Sequence, residues 1–259
     1  MAFRAVTLLH SGTTNQVSSI SGTVPGSAVA GDVLLIAAMQ GSGTNTLSVS
    51  GLATTPALVS GPQIVNSNVD VWVWAVRLDA ADLGDTVTVT STGGGYFAGV
   101  LHAFSGDQMT GLQVAVTKVT TAATSLVTPS LTTTVANCDI VTLWALRSAS
   151  ATTPVVTVPG TQTKDGAATT GASAASPSFS LTASHRTTVG AAGAYGGSTG
   201  TANTASTGVL FTVSLQPAAV AGADGGFKVY KVSSGGVDQR VSIYYVDGTT
   251  DVQVSDRTS

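Results

Sequence analysis

The sequence predicts an all-β antiparallel sandwich, and three observations carry that prediction. The composition disfavours helices: there is no Glu, all 13 acidic residues are Asp, and Thr, Ser, Ala, Val and 30 Gly fill the chain. Val and Thr are stiff at χ1 and fit a pleated surface better than a helix. Apolar residues also recur with period two in segment after segment, the spacing of a half-buried strand. Finally, the chain repeats itself. Gly31 to Met39 aligns with Cys138 to Leu146, setting Asp32 on Asp139 and Ala38 on Ala145, and Gly99-Val100-Leu101-His102-Ala103-Phe104-Ser105 aligns with Gly208-Val209-Leu210-Phe211-Thr212-Val213-Ser214. The offsets of the two matches are nearly equal, so both belong to one duplication.

Taken in order, an opening strand precedes Asp32, and Val33 to Met39 is a continuous apolar run suited to a strand covered on both faces. Gly41-Ser42-Gly43-Thr44 supplies a turn. From Val69 to Leu78 both faces are apolar: Trp72, Trp74, Val76 and Leu78 on one, Val69, Val71, Val73 and Ala75 on the other. Such a strand is either covered twice or presents a stripe to a partner, and the covered reading is preferred because exposed stripes are uncommon. Asp85 to Thr90 sets valines on one face and threonines on the other, before a turn at Thr92-Gly93-Gly94-Gly95. Residues 107–131 carry a strand pattern of their own (Leu112, Val114, Val116) in place of a polar linker. The Gly/Ser/Thr stretch Gly196 to Thr207 reads as turn, and Val209, Phe211, Val213 and Leu215 share one face of the last strand of the repeat.

Each half thus reads as four to five strands, too few to close its own core. Two pseudo-repeated halves, about residues 5–106 and 107–217, stacked face to face would bury the open apolar faces, as in a jelly-roll-like sandwich over 1–217. Two separate small sandwiches remain the alternative. After Pro217 the composition changes. Residues 218–226 form an Ala/Gly linker, and 227–259 hold three of the five tyrosines. Asp247-Gly248 between alternating runs predicts a short C-terminal β-hairpin extension. One hairpin is marginal alone, so Phe227, Tyr230, Tyr244 and Tyr245 are candidates for docking on another surface.

Several functions are excluded by residue type. A net charge of −3 with ten Lys and Arg leaves no basic stripe for nucleic acid. The longest apolar run is about a third of a bilayer span, and residues 1–10 do not make a signal peptide. The single Cys138 excludes an internal disulfide and reads as a small buried hydrophobe. His102 stands where its repeat mate is Phe211 and reads as packing, while His10 and His185 lie in no motif. Phe104-Ser105-Gly106-Asp107 lacks the glycine that precedes a nucleophile elbow. Gly93-Gly94-Gly95 lacks the Gly-Lys-Ser/Thr of a phosphate loop.

Asp79, Asp82 and Asp85 form the acidic cluster. They read first as a turn, then as a calcium site, and last as a carboxylate pair for glycoside hydrolysis. Tyr96 and Tyr195 are strand-edge residues or, alternatively, sugar platforms. No catalytic residue and no cofactor is expected.

The strand at Gly31-Asp32-Val33-Leu34-Leu35, the run Val69-Asp70-Val71-Trp72-Val73-Trp74-Ala75-Val76-Arg77-Leu78 with its Ala81 to Val89 continuation, and the strand Phe97-Ala98-Gly99-Val100-Leu101-His102-Ala103-Phe104-Ser105-Gly106 resemble minor tail and other virion structural proteins of phages that infect actinobacteria. So do the Thr128 start, the Ile140 strand and the Ser214-Leu215-Gln216-Pro217 close. The resemblance covers roughly residues 5–219. It implies a non-enzymatic β-sandwich protein of the virion, assembled in the host cytoplasm with other tail or capsid proteins, with a host-surface glycan as a further partner. A minor tail or tail-tip protein is the leading reading. A carbohydrate- or receptor-binding module and a capsid decoration protein are the alternatives. The doubly apolar strand permits a homo-oligomer, with a trimer suggested by analogy with phage fibres and spikes.

Overall fold

The computed structural model describes residues 2–10, 16–41, 45–105, 107–170, 177–217, 227–233, 239–246 and 251–257. The chain divides into two compact units, residues 1–217 and 218–259. In the first unit, the first half contributes Ala2–His10 (β1), Val17–Thr23 (β2), Val33–Gln40 (β3), Leu47–Ser50 (β4), Ala57–Val65 (β5), Val69–Arg77 (β6), Thr86–Gly95 (β7) and Phe97–Ser105 (β8). The second half contributes Asp107–Val127 (β9), Ser130–Thr133 (β10), Cys138–Ser148 (β11), Val156–Thr157 (β12), Thr163–Thr170 (β13), Ser178–Val189 (β14), Gly193–Gly196 (β15) and Thr199–Pro217 (β16). Eight strands per half exceed the four to five expected. Strands such as β2, β4, β10 and β12 are short and hydroxyl-rich, with too few apolar residues to display an alternation.

The sheets explain how each half closes. One large sheet has the order β1-β8-β3-β6-β5, and the other runs β9-β16-β11-β14-β13, the same order with every strand replaced by the one eight places later. A small sheet, β2-β7-β4, serves the first half; β10-β15 serves the second, with β12 paired to Thr201 and Ala202 of β16. All pairings are antiparallel.

Two kinds of core separate the layers. Val33, Leu35, Ala37, Val73 and Val100 pack with Val141, Leu143, Ala145, Leu181 and Phe211, so the two large sheets face each other. On its other face the first large sheet turns Leu34, Ile36, Trp72 and Trp74 towards Ile20, Leu47, Val87 and Val89 of the small sheet. The second half packs Trp144, Leu146 and Leu210 against Leu126 of β9 and Val156 of β12, and Ile140 against Leu131 of β10 in its small sheet. The order of layers is therefore small, large, large, small. β1 lies against β13, and β5 against β9 and β16. The two large sheets thus run in opposite strand order across their shared core.

The ladders correct the sequence alignment by one residue. Leu35 pairs with His102 and Ala75, whereas Leu143 pairs with Phe211 and Ala183. Since His102 and Phe211 are repeat mates, Leu35 corresponds to Leu143 and Ala37 to Ala145, and Asp139 is not the counterpart of Asp32. A slip of one residue exchanges the two faces of a strand, and here it would set Leu34, which faces the small sheet, on Val141, which faces the other half. The corrected register explains the repeated glycine. A Cβ on Gly99 would lie 2.9 Å from the Ala37 carbonyl oxygen, and one on Gly208 would run into that of Ala145.

The same register shows a compensated exchange. Ile36 pairs with Trp74 in the first half, and Trp144 pairs with Thr182 in the second. The indole has moved from the neighbouring strand to the central one, keeping one large ring per pair.

Two local expectations change. The Thr92–Gly95 turn is the end of β7, with Gly95 paired to Val17. Most of the Gly196–Thr207 stretch is strand, because Gly200 fits against Val156 and Trp144: a Cβ there would stand 2.8 Å from Val156 Cγ1. Tertiary packing overrides weak local preference in both. Strand β6 is buried on both faces within its own chain, which removes the apolar stripe that had suggested a homo-oligomer.

The second unit is a three-stranded antiparallel sheet of Phe227–Ser233 (β17), Gln239–Val246 (β18) and Asp251–Arg257 (β19), in that order. The expected hairpin is thus extended by a third strand. The linker 218–226 and the Asp247-Gly248 turn lie outside the described residues, as does most of the Gly41–Thr44 turn.

Candidate functional site

The acidic cluster is a built turn. Asp82 is buried at the end of a single 3-10 turn, Ala80–Asp82. One carboxylate oxygen accepts the Thr54 N–H at 3.0 Å and the other the Asp79 N–H at 2.8 Å. Burial acts to raise its pKa, but the N–H groups of Asp79 and Thr54 and the Thr54 hydroxyl outweigh it and hold the carboxyl below 3.8. Asp79 is exposed, and its Oδ2 accepts the Thr54 hydroxyl at 3.4 Å. Asp85 sits half-buried before β7, where its carbonyl accepts the Val24 N–H. Among the described residues no three His, Cys, Asp or Glu are grouped as metal ligands. Asp82→Ala is expected to cost about 1–2 kcal/mol of unfolding free energy, because two part-buried N–H groups lose their acceptor. A urea denaturation midpoint equal to that of the parent would refute this role.

The remaining sequence candidates separate. Cys138 is buried, with its thiol donating to the Val135 carbonyl at 3.3 Å. Tyr96 is no sugar platform: its ring stacks on Phe179 at 5.6 Å and supports the core between the large sheets. Ser105 closes β8 opposite Ala2. In the second unit, Phe227 pairs with Tyr245, Lys228 with Tyr244 and Tyr230 with Ser242, so the four docking candidates lie on two neighbouring strands.

Sequence reasoning missed a polar cluster between the halves. His102 on β8 of one large sheet meets Asp165 on β13 and His185 on β14 of the other. Asp165 Oδ1 accepts His185 Nδ1–H at 2.5 Å, and its Oδ2 lies 3.4 Å from His102 Nε2 without a hydrogen bond. The strand β13 is bulged between Lys164 and Gly166, and the bulge turns Asp165 into the interface. Phe3 stacks on His185 at 4.3 Å and meets His102 edge-on.

Burial first, then the charge of His185, pushes the His102 pKa from 6.5 down to about 3, so it is neutral at physiological pH. Burial raises that of Asp165 against the opposing His185 contact. His102 and the Asp165 carboxylate are each only 1% exposed. The arrangement ties the two halves together. One signal was legible: a histidine at a position filled by phenylalanine in the repeat mate needs a polar neighbour. The bulge that provides one leaves no mark in the pattern.

A second polar group faces solvent. Ile140, Gln162, Arg186, Tyr195, Gly196 and Ser198 are among the residues lining a concavity of about 140 Å³. Gln162 Oε1 accepts the hydroxyls of Thr142 and Ser184, both at 2.7 Å, and its Nε2 donates to Ser198 Oγ at 3.2 Å. Arg186 holds its guanidinium 5.7 Å from the Tyr195 ring centroid, and Tyr195 Oη donates to the Ala191 carbonyl at 2.6 Å. Of the two tyrosines read as possible sugar platforms, Tyr195 alone lines a recess.

No protein-family model, no curated protein and no solved structure matches the chain.

Proposed function

We propose that this chain is a non-enzymatic virion structural protein of the minor-tail kind, which assembles with other tail components and contacts the host surface. One observation carries the reading: the motifs that resemble actinobacterial phage virion proteins are the framework of the fold. Val33–Leu35 opens β3, Val71–Arg77 fills β6, Phe97–Leu101 begins β8 and Ile140 lies in β11, all in the two large sheets. The resemblance therefore rests on core positions that build a duplicated sandwich. The separate unit at 218–259, with four aromatic residues on adjacent strands, supports a docking role for the tail.

Mass spectrometry and immunogold labelling of purified particles test the placement: detection at the tail is expected, and absence from intact particles would end the reading. Deletion of residues 218–259 is expected to leave the first unit folded by circular dichroism but to abolish incorporation. Normal incorporation of the shortened chain would remove the docking role. A carbohydrate-binding reading is favoured by one specific observation, the recess beside Tyr195.

A further inference from the structure

We propose that the recess lined by Arg186, Tyr195, Gln162 and Ser198 binds a carboxylate-bearing sugar, the uronic acid residue of an acidic glycan. The inference deepens the host-contact part of the proposed function and rests on it for its biological setting alone.

The charge of the recess argues for an anion. None of the eight lining residues is acidic, and among the described residues no carboxylate stands within ion-pair distance of Arg186. The guanidinium is instead steadied by the Tyr195 face, a cation–π contact that leaves its planar fork of donors for an oxygen pair.

Hydrogen-bond chemistry points the same way. Both acceptor directions of the Gln162 carbonyl oxygen are taken by Thr142 and Ser184, which fixes the amide with its NH₂ towards the recess. One N–H goes to Ser198 Oγ and the second remains to donate. Because Ser198 Oγ is the acceptor in that bond, its own O–H points elsewhere as a donor. The recess is therefore rich in donors, with its one strong side-chain acceptor already filled.

Size and surface select the rest of the ligand. A volume of about 140 Å³ is close to that of a cavity of roughly 150 Å³ that accepts one six-membered ring. Ala194 and the edge of the Tyr195 ring supply the small apolar part of the wall, with Ile140 buried beneath it. A bare phosphate would leave most of the room unused, and a neutral sugar would leave Arg186 without a partner.

The site is preformed, since Gln162 is anchored to two residues of the second half's large sheet, Thr142 on β11 and Ser184 on β14.

The test uses the full chain with methyl glucuronide, methyl glucoside and inorganic phosphate, read by saturation-transfer NMR and calorimetric titration. Saturable binding of the glucuronide is expected, at least ten-fold tighter than the glucoside and not displaced by equimolar phosphate. Arg186→Gln, at an exposed position that leaves the core intact, is expected to weaken the glucuronide at least ten-fold and leave the glucoside unchanged. Tyr195→Leu should weaken it as well, through the lost support of the guanidinium. Equal binding of the two sugars, displacement by phosphate, or undiminished binding by Arg186→Gln would each overturn the proposal. Particle incorporation is measured separately, so failure here and failure of the virion reading are distinct results.

Discussion

Replacing His102 with phenylalanine, the residue of its repeat mate Phe211, is expected to flatten the loss of stability on acidification. In the folded chain His102 is neutral down to about pH 3, whereas the unfolded chain takes up its proton near 6.5. Between those values the unfolded state binds more protons, so stability is full above 6.5 and declines as the pH falls, at a slope approaching about 1.4 kcal/mol per pH unit. Phenylalanine titrates nowhere in this window and fills a comparable volume at a site already walled by Phe3 and Phe104. Asp165 works in the opposite sense, since its raised carboxyl pKa favours the folded state as the pH drops towards 3.8, but it is present in parent and variant alike. Urea unfolding at a series of pH values from about 7 to 4 gives the comparison. A variant as acid-sensitive as the parent would show that His102 is not the source of the slope.

Gly208→Ala is expected to destabilise the first unit by about 3 kcal/mol, and Gly99→Ala by clearly less. The two glycines are repeat mates, but the atoms that crowd them differ. At Gly208 the obstacle is the carbonyl of Ala145, whose strand β11 is hydrogen-bonded on both sides to β14 and β16, and Leu146 Cδ2 follows at 3.0 Å. That oxygen cannot retreat without breaking a central ladder. At Gly99 the Ala37 oxygen stands at 2.9 Å, and the next atoms are the side-chain ends of Ile20 and Leu9 at 3.2 and 3.3 Å, which can turn aside. Chemical denaturation of both variants ranks them. Equal costs, or a Gly208→Ala protein as stable as the parent, would contradict the crowding account.

What could be read from the sequence follows from what leaves a periodic trace. Strands β3, β6, β8 and β16 are long, apolar and repeated, so their place in a central sheet was visible in the residues alone. The small sheets were harder. Their strands hold few apolar residues each, and partners far along the chain decide their pairing. The alignment of Asp32 with Asp139 failed for a related reason. Both faces of β3 and β11 are apolar, so composition cannot report which face meets which layer, and only the ladders to His102 and Phe211 fix it. Asp165 was missed because a bulge breaks the alternation that sequence reading depends on, and the two histidines it joins lie on opposite halves. Tyr195 was singled out among few exposed aromatics, yet Gln162 and Arg186 beside it carried no pattern at all.

The face-to-face stacking of the two large sheets has a consequence for synthesis. Each half closes its own small-sheet core, but the face that carries Val33, Leu35, Val71, Val73 and Val100 packs against the other half. Translation delivers the first half alone. At about 5–20 residues per second, the hundred-odd residues that cover it take roughly 5–20 s to emerge. For that interval a nascent sheet displays a bare aliphatic face at the ribosome exit. Two such nascent chains on one message would expose to each other the same aliphatic faces that later join the halves of a single chain. Covalent linkage of the halves counters this by keeping the correct partner at high local concentration.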